Sequence, residues 1–274
     1  MNPLGEAQAR AAAAYNAAAD AYDDAANSFW DRFGRRTIDR LALQRGARVL
    51  DVCCGSGASA IPAAQAVGPE GSVLGVDLAQ GLLDIARDKA RVGGLQNVEF
   101  RTGDMLDLGL PASTCDAVVC VFGIFFVPDM PAAIRELWRV VRPDGKLAIT
   151  TWGPRFFEPG NTVFWDAVRD VAPDLHKGFN PWDRIGDPES VRGLLAEAGI
   201  EQCDVVAEAG NHPIPSPQAW WSAVRGSGYR GTLERLDATG LEQVRAANLA
   251  FIRDARIRSV EANVVYAVAR KAMD

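Results

Sequence analysis

The run Ala47-Arg-Val-Leu-Asp-Val-Cys-Cys-Gly-Ser-Gly-Ala-Ser-Ala60 constrains this chain more than any other stretch. Val49, Leu50 and Val52 make a short apolar strand, and Gly55 and Gly57 let the backbone turn sharply into a helix. A turn of this kind leaves N–H groups free at a sheet edge, where a helix N-terminus receives an anionic or zwitterionic ligand. Two glycines alone are weak evidence, because any tight strand-to-helix connection uses them. Val73-Leu-Gly-Val-Asp77 sharpens the reading: a second apolar strand ends in an acid about 20 residues beyond the glycine turn. A carboxylate there accepts hydrogen bonds from the two hydroxyls of a ribose.

Two nucleotide classes fit that geometry, the nicotinamide or flavin dinucleotides and S-adenosylmethionine (SAM). The spacing Gly55-Ser-Gly57-Ala-Ser-Ala60 satisfies even the dinucleotide pattern, with Ala in the last place. Asp51 decides between them, because a second carboxylate suits the α-ammonium of a methionine moiety and repels a pyrophosphate. On Val49-Leu-Asp-Val-Cys-Cys-Gly-Ser-Gly57, Val76-Asp77, Gly103-Asp104-Met105 and Arg142-Pro-Asp-Gly-Lys-Leu147 the chain resembles the class I SAM-dependent methyltransferases, in the small-molecule branch of ubiquinone and menaquinone biosynthesis. The resemblance covers residues 15 to about 151 strongly and the remainder loosely. One departure is Cys53, where that family usually has Gly.

The resemblance implies an α/β, Rossmann-like sheet of seven mostly parallel strands, the last antiparallel, flanked by helices. It further implies SAM as cofactor, with S-adenosylhomocysteine (SAH) as product. SAM would lie against Asp51, Cys53, Gly55, Ser56, Gly57, Asp77, Leu78, Asp104, Met105 and Phe122. Residues 1–45 would form a helical lid in which Tyr22 touches the methionine portion. A packing helix is the simpler account of Tyr15, Tyr22, Phe29, Trp30 and Phe33, which recur at helical spacings.

Composition narrows the partners. With 274 residues, 48% hydrophobic and 23% charged, the chain buries an ordinary globular core. A net charge of −6 and scattered basic residues argue against nucleic acid. No signal sequence and no apolar run of spanning length are seen, so a cytoplasmic protein with no membrane partner is expected. A homodimer is the oligomer this reading admits. The five cysteines fall in or beside expected strands and read as reduced, buried residues. They show no iron–sulfur spacing, and no metal-ligand cluster is visible; Asp23-Asp24 reads as a helix face.

Further along, residues 97–101 and 115–122 read as strands three and four. Phe125 and Phe126 occupy the loop after strand four and offer an apolar substrate surface in place of a base. A helix is expected from Pro131 to Val141 with Asp129 as N-cap, then a turn at Arg142-Pro-Asp-Gly145 and strand five from Lys146 to Thr151. Glu189 to Ala198 reads as a helix, Cys203 to Ala209 as strand six and Val260 to Ala269 as the final strand. Two aromatic-rich insertions, about 153–188 and 211–259, leave strands five and six on the side of the glycine turn and are expected to cap the site. Within them and beside them, Trp152, Phe157, Trp182 and Trp220 join Phe125 and Phe126 as candidate substrate contacts.

Of two histidines, His212 just past strand six is the candidate base, against a loop histidine satisfied by backbone. His176 reads as a surface residue, and Arg155 and Arg184 as carboxylate partners or structural ion pairs. The expected function is methyl transfer from SAM to O, N or C of a small, rather apolar metabolite by direct displacement. Three alternatives share these signals: a dinucleotide oxidoreductase, a SAM-binding member catalysing a non-methylating reaction such as a cyclisation, and a non-catalytic SAM-binding protein.

Overall fold

The computed structural model describes residues 5–273. The first four residues of the expected lid, and residue 274, lie outside the described residues. The sheet is built from β1 (Arg48–Val52), β2 (Ser72–Asp77), β3 (Val98–Thr102), β4 (Cys115–Val121), β5 (Val141–Trp152), β6 (Cys203–Glu208) and β9 (Val264–Arg270), in the order β3-β2-β1-β4-β5-β9-β6. A separate ribbon pairs β7 (Asn211–Pro213) with β8 (Ser259–Glu261). Strands β1 to β5 are parallel, and β9 runs antiparallel to both neighbours, β5 and β6. This is the seven-stranded mixed sheet expected, flanked by helices.

The central strands are apolar on both faces because helices cover both. Val49, Val73, Val119 and Ala148 pack against Ala63 of α3 (Ala60–Val67) and Leu83 of α4 (Gln80–Val92). On the opposite face Leu50, Val118, Leu147 and Ile149 join the larger core with Ile134 and Leu137 of α5 (Met130–Val140). Burying a residue such as Leu50 completely contributes about 1.5–3 kcal/mol. Asp129 caps α5 as expected, accepting from the Ala132 N–H at 2.8 Å.

Two strands differ from expectation. The Arg142-Pro-Asp-Gly turn does not precede β5 but bulges out of it, so that the pairing jumps from Cys115–Val141 to Ala117–Lys146. Asp144 takes φ +66° in that bulge, and a Cβ on Gly145 would collide with Val141 and two backbone carbonyls. The final strand, expected whole from Val260 to Ala269, is broken into β8 and β9. Asn263 makes the break: its Oδ1 accepts from Gly210 N at 3.0 Å and its Nδ2 donates to Pro154 O at 2.9 Å.

The N-terminal segment forms α1 (Glu6–Tyr22) and α2 (Phe29–Leu41). Hydrogen bonds tie it to the sheet and its helices. Asn16 Oδ1 accepts from Gly81 N at 2.8 Å, Ser56 Oγ donates to Asp23 Oδ1 at 2.6 Å, and the Thr37 and Thr150 hydroxyls meet at 2.8 Å. The insertions carry α6 (Gly160–Val171), then, after α7 (Pro188–Glu197) and β6, the helices α8 (Pro217–Arg225), α9 (Arg230–Leu233) and α10 (Ala238–Asp254). Helix α10 packs on α6 and α8, and α1 packs on α4, α8 and α9. Among the described residues no helix is long and apolar enough to cross a membrane.

Candidate active site

Two cavities open at the carboxyl ends of the strands. The first encloses about 690 Å³ including its mouth, against the ends of β1, β2, β3 and β4 and the inner side of α1. The second encloses about 580 Å³ between the end of β5, the first insertion and the segment joining α8 to α9. Tyr15, Trp30 and Phe126 line both and form the partition between them.

In the first cavity the glycine turn and Asp77 hold each other. Asp77 Oδ2 accepts from Gly55 N at 2.9 Å, and Oδ1 accepts from Ala79 N at 2.8 Å. Burial raises the Asp77 pKa and these amides oppose the rise. The Gly55 N–H is therefore already taken and is not offered to a phosphate. A Cβ on Gly55 would stand 3.1 Å from the Tyr22 hydroxyl, so the glycine lets α1 close on the turn. Asp104 Oδ1 accepts from Leu106 N at 2.9 Å and from Gln8 Nε2 of α1 at 2.6 Å.

Two lining residues hold left-handed backbone, Cys53 at φ +60° and Phe122 at φ +54°. Such a conformation costs of order 1–3 kcal/mol at a non-glycine residue and persists where the surroundings impose it. The turns after β1 and β4 touch, since a Cβ on Gly123 would lie 2.4 Å from Cys53 Cβ. The Cys53 thiol is raised well above its ordinary pKa by its hydrogen bond with Cys120 and by burial, so it stays protonated.

Asp51 lies one layer deeper. It is wholly buried and does not line the cavity; Oδ2 accepts from Ser59 Oγ at 2.6 Å, and Oδ1 has no partner among the described residues. Burial lifts its carboxyl from 3.8 to about 7 against the pull of the Ser59 bond. The first cavity thus presents Asp77 and Asp104, with Asp51 beneath. No Lys, Arg or His is among its lining residues. Carboxylates without a cation suit a positively charged ligand and oppose a pyrophosphate.

Of the residues anticipated for the cofactor, Tyr22, Cys53, Gly55, Asp77, Leu78, Asp104, Met105 and Phe122 meet in this cavity. Ser56 and Gly57 stand behind the turn, where a Cβ on Gly57 would press on Ile61 at 3.1 Å. Of the anticipated substrate residues, Phe126, Trp152 and Trp182 line the second cavity. Phe125 is buried against Trp182 with ring centroids 5.3 Å apart, and Phe157 is stacked behind Phe156 at 4.1 Å. Trp220 is a strut: its Nε1 donates to Asn248 Oδ1 at 2.8 Å inside the helical layer.

His212 lines neither cavity. Its Nε2 lies 2.7 Å from the Ala26 carbonyl and its ring packs on Phe29, and burial lowers its pKa. His176 packs edge-on to Trp165, Arg155 pairs with Glu261 at 2.7 Å, and Arg184 lies over the Phe179 ring. Gln8, Ala11, Ala12 and Tyr15 were not anticipated at the site. They sit in an Ala-rich helix whose sequence marks no face as ligand-bearing.

A family model described as a methyltransferase domain matches residues 49–145. A solved SAM-dependent methyltransferase from Aquifex aeolicus is similar with a TM-score of 0.50 at 25% identity, covering 63% of this chain and 82% of that one. The demethylmenaquinone methyltransferase of Listeria welshimeri serovar 6b is 37% identical over 150 residues, or 54% of this chain, which spans only 63% of that protein's length. The nocamycin O-methyltransferase of Saccharothrix syringae is 30% identical over 212 residues, covering 76% of this chain and 68% of that protein. This chain belongs to the SAM-dependent methyltransferase family. The family uses SAM, and the first cavity, which has no cation among its lining residues, is compatible in charge with such a ligand. The left-handed backbone at Cys53 accounts for the glycine that the resemblance leads one to expect there.

Proposed function

We propose that the protein transfers the methyl group of SAM, held in the first cavity, to a small and rather apolar metabolite held in the second. The observation that carries this reading is the shared partition of Tyr15, Trp30 and Phe126 between an acidic cavity and an aromatic one. When bound, SAM supplies an electrophilic methyl on a sulfonium; the sulfur–methyl bond breaks with its electron pair left on sulfur as the acceptor–methyl bond forms.

The residues of this chain bind and orient. Asp77 accepts from the ribose hydroxyls, Asp104 from the adenine amino group, and Asp51 contributes negative charge below the methionine end. Holding the acceptor in line at the partition supplies on the order of 7–11 kcal/mol of the barrier reduction. Residues 1–45 act as a lid through α1, and the two insertions act as a cap that excludes water. A neutral Tyr15 fits this role, because burial raises its phenol and removes it as a base. The bond to Ala26 supports a structural role for His212 in place of that of a base. The reading includes a cytoplasmic location and, from the net charge of −6, no nucleic-acid partner.

The test is incubation of the protein with methyl-labelled SAM and an extract of its source cells, followed by mass spectrometry. Label is expected in a small metabolite. Label in protein or nucleic acid, or SAM bound but never consumed, would overturn the proposal.

A further inference from the structure

The two cavities carry opposite charge. The first is walled by carboxylates with no cation, whereas the lining of the second contains one charged residue, Lys177, and no carboxylate. Among the described residues Lys177 makes no ion pair; its only charge-directed contact is with the face of Trp165, 5.6 Å from Nζ to the ring centroid. Lys177 is exposed at the mouth of this cavity, and partial desolvation, followed by the nearby cations Arg235 and Arg10, pulls its ammonium below its ordinary pKa. The Trp165 and Trp182 indoles belong to the same wall, and both N–H groups are buried without an acceptor among the described residues. Each such orphan carries a desolvation penalty until an acceptor reaches it.

Resting on the two-cavity reading above, we propose that the methyl acceptor is an anion-bearing aromatic or polyunsaturated small molecule whose charged oxygens are held by Lys177 at the mouth of the second cavity. The apolar body stacks within the aromatic wall, and the acceptor's anion gives the Lys177 ammonium the counter-charge that no protein carboxylate provides. Lys177 lines only the second cavity, so the acceptor's charge is kept off the carboxylates of the first. Apolar character alone would leave this cation unexplained. An acidic acceptor accounts for it.

The test uses two fluorescent probes with the same ring system, 8-anilinonaphthalene-1-sulfonate and the uncharged N-phenyl-1-naphthylamine. Both are titrated into the full-length protein saturated with SAH, whose binding is first measured by calorimetry. Lys177→Met is expected to weaken the sulfonate by about tenfold, the scale of one lost charge-assisted hydrogen bond, and to leave the neutral probe unchanged. Lys177→Arg is expected to retain the sulfonate within about threefold. Unchanged sulfonate affinity in Lys177→Met, or equal losses for both probes, would overturn the assignment. Failure of the methyltransferase reading itself would appear separately, as absence of SAH binding in the first titration.

Discussion

Asp51 shows at the scale of one residue how the acidic side of the site is held in tension. Its carboxyl is raised from 3.8 to about 7 by burial, so the ligand-free fold prefers the protonated form. The stability contributed by that preference is complete at acid pH and is lost as pH rises through about 7, on the order of 4 kcal/mol in all. Asp51→Asn, which keeps the shape and cannot ionise, is therefore expected to gain on the order of 4 kcal/mol over the native chain at pH 8 and on the order of 1–2 kcal/mol at pH 5, by urea unfolding at both pH values. A cationic ligand reverses the preference, because it favours the ionised carboxyl. SAM affinity of Asp51→Asn should be about tenfold weaker than native at pH 8 and equal to it at pH 5; an unchanged ratio by calorimetry would remove Asp51 from the cofactor. Single residues differed in how plainly the sequence marked them. Asp77 was legible because a strand, a turn and an acid sit in register, and Cys53 because a resemblance expects glycine where φ is positive. Gln8, Tyr15 and Lys177 were not legible, since each reaches the site from a segment whose local pattern serves packing or a surface turn.

At the scale of elements the main finding is how α1 is attached. Helix α4 has no side-chain cap of its own, and Asn16 of α1 supplies one by accepting from Gly81 N at 2.8 Å. Gln8 then closes the other end of α1 on Asp104, the acid proposed for the adenine. On the proposed placement of SAM, its entry requires α1 to part from Asp104 or to share it. Gln8→Ala is expected to speed both binding and release of SAM several-fold in stopped-flow fluorescence, with a small net change in affinity. Unaltered rates would mean that α1 does not gate the cavity. Element types were largely legible, because apolar runs and helical spacing state them directly. The break between β8 and β9 was not, since Asn263 interrupts pairing through bonds to Gly210 and Pro154, residues far away in the chain.

For the whole molecule, the proposed arrangement separates two ligands by charge across one aromatic partition. SAH at about a hundred times its dissociation constant should add about 2.7 kcal/mol to the unfolding free energy and raise the melting temperature by several degrees. NAD should leave it unchanged, because its pyrophosphate would face carboxylates with no cation to receive it; a comparable rise with NAD would reopen the dinucleotide reading. The sheet order has a further consequence, for the way the chain leaves the ribosome. Strand β6 emerges before β9, yet β9 is its only partner in the sheet and stands between it and β5. While the second insertion is being made, the β5 edge from Leu147 to Trp152 has no neighbour on that side. That apolar edge is the one open to pairing with another nascent chain. Long-range pairing of this kind is slow, so sealing the β5 edge is a late step on which the yield of correctly folded protein depends.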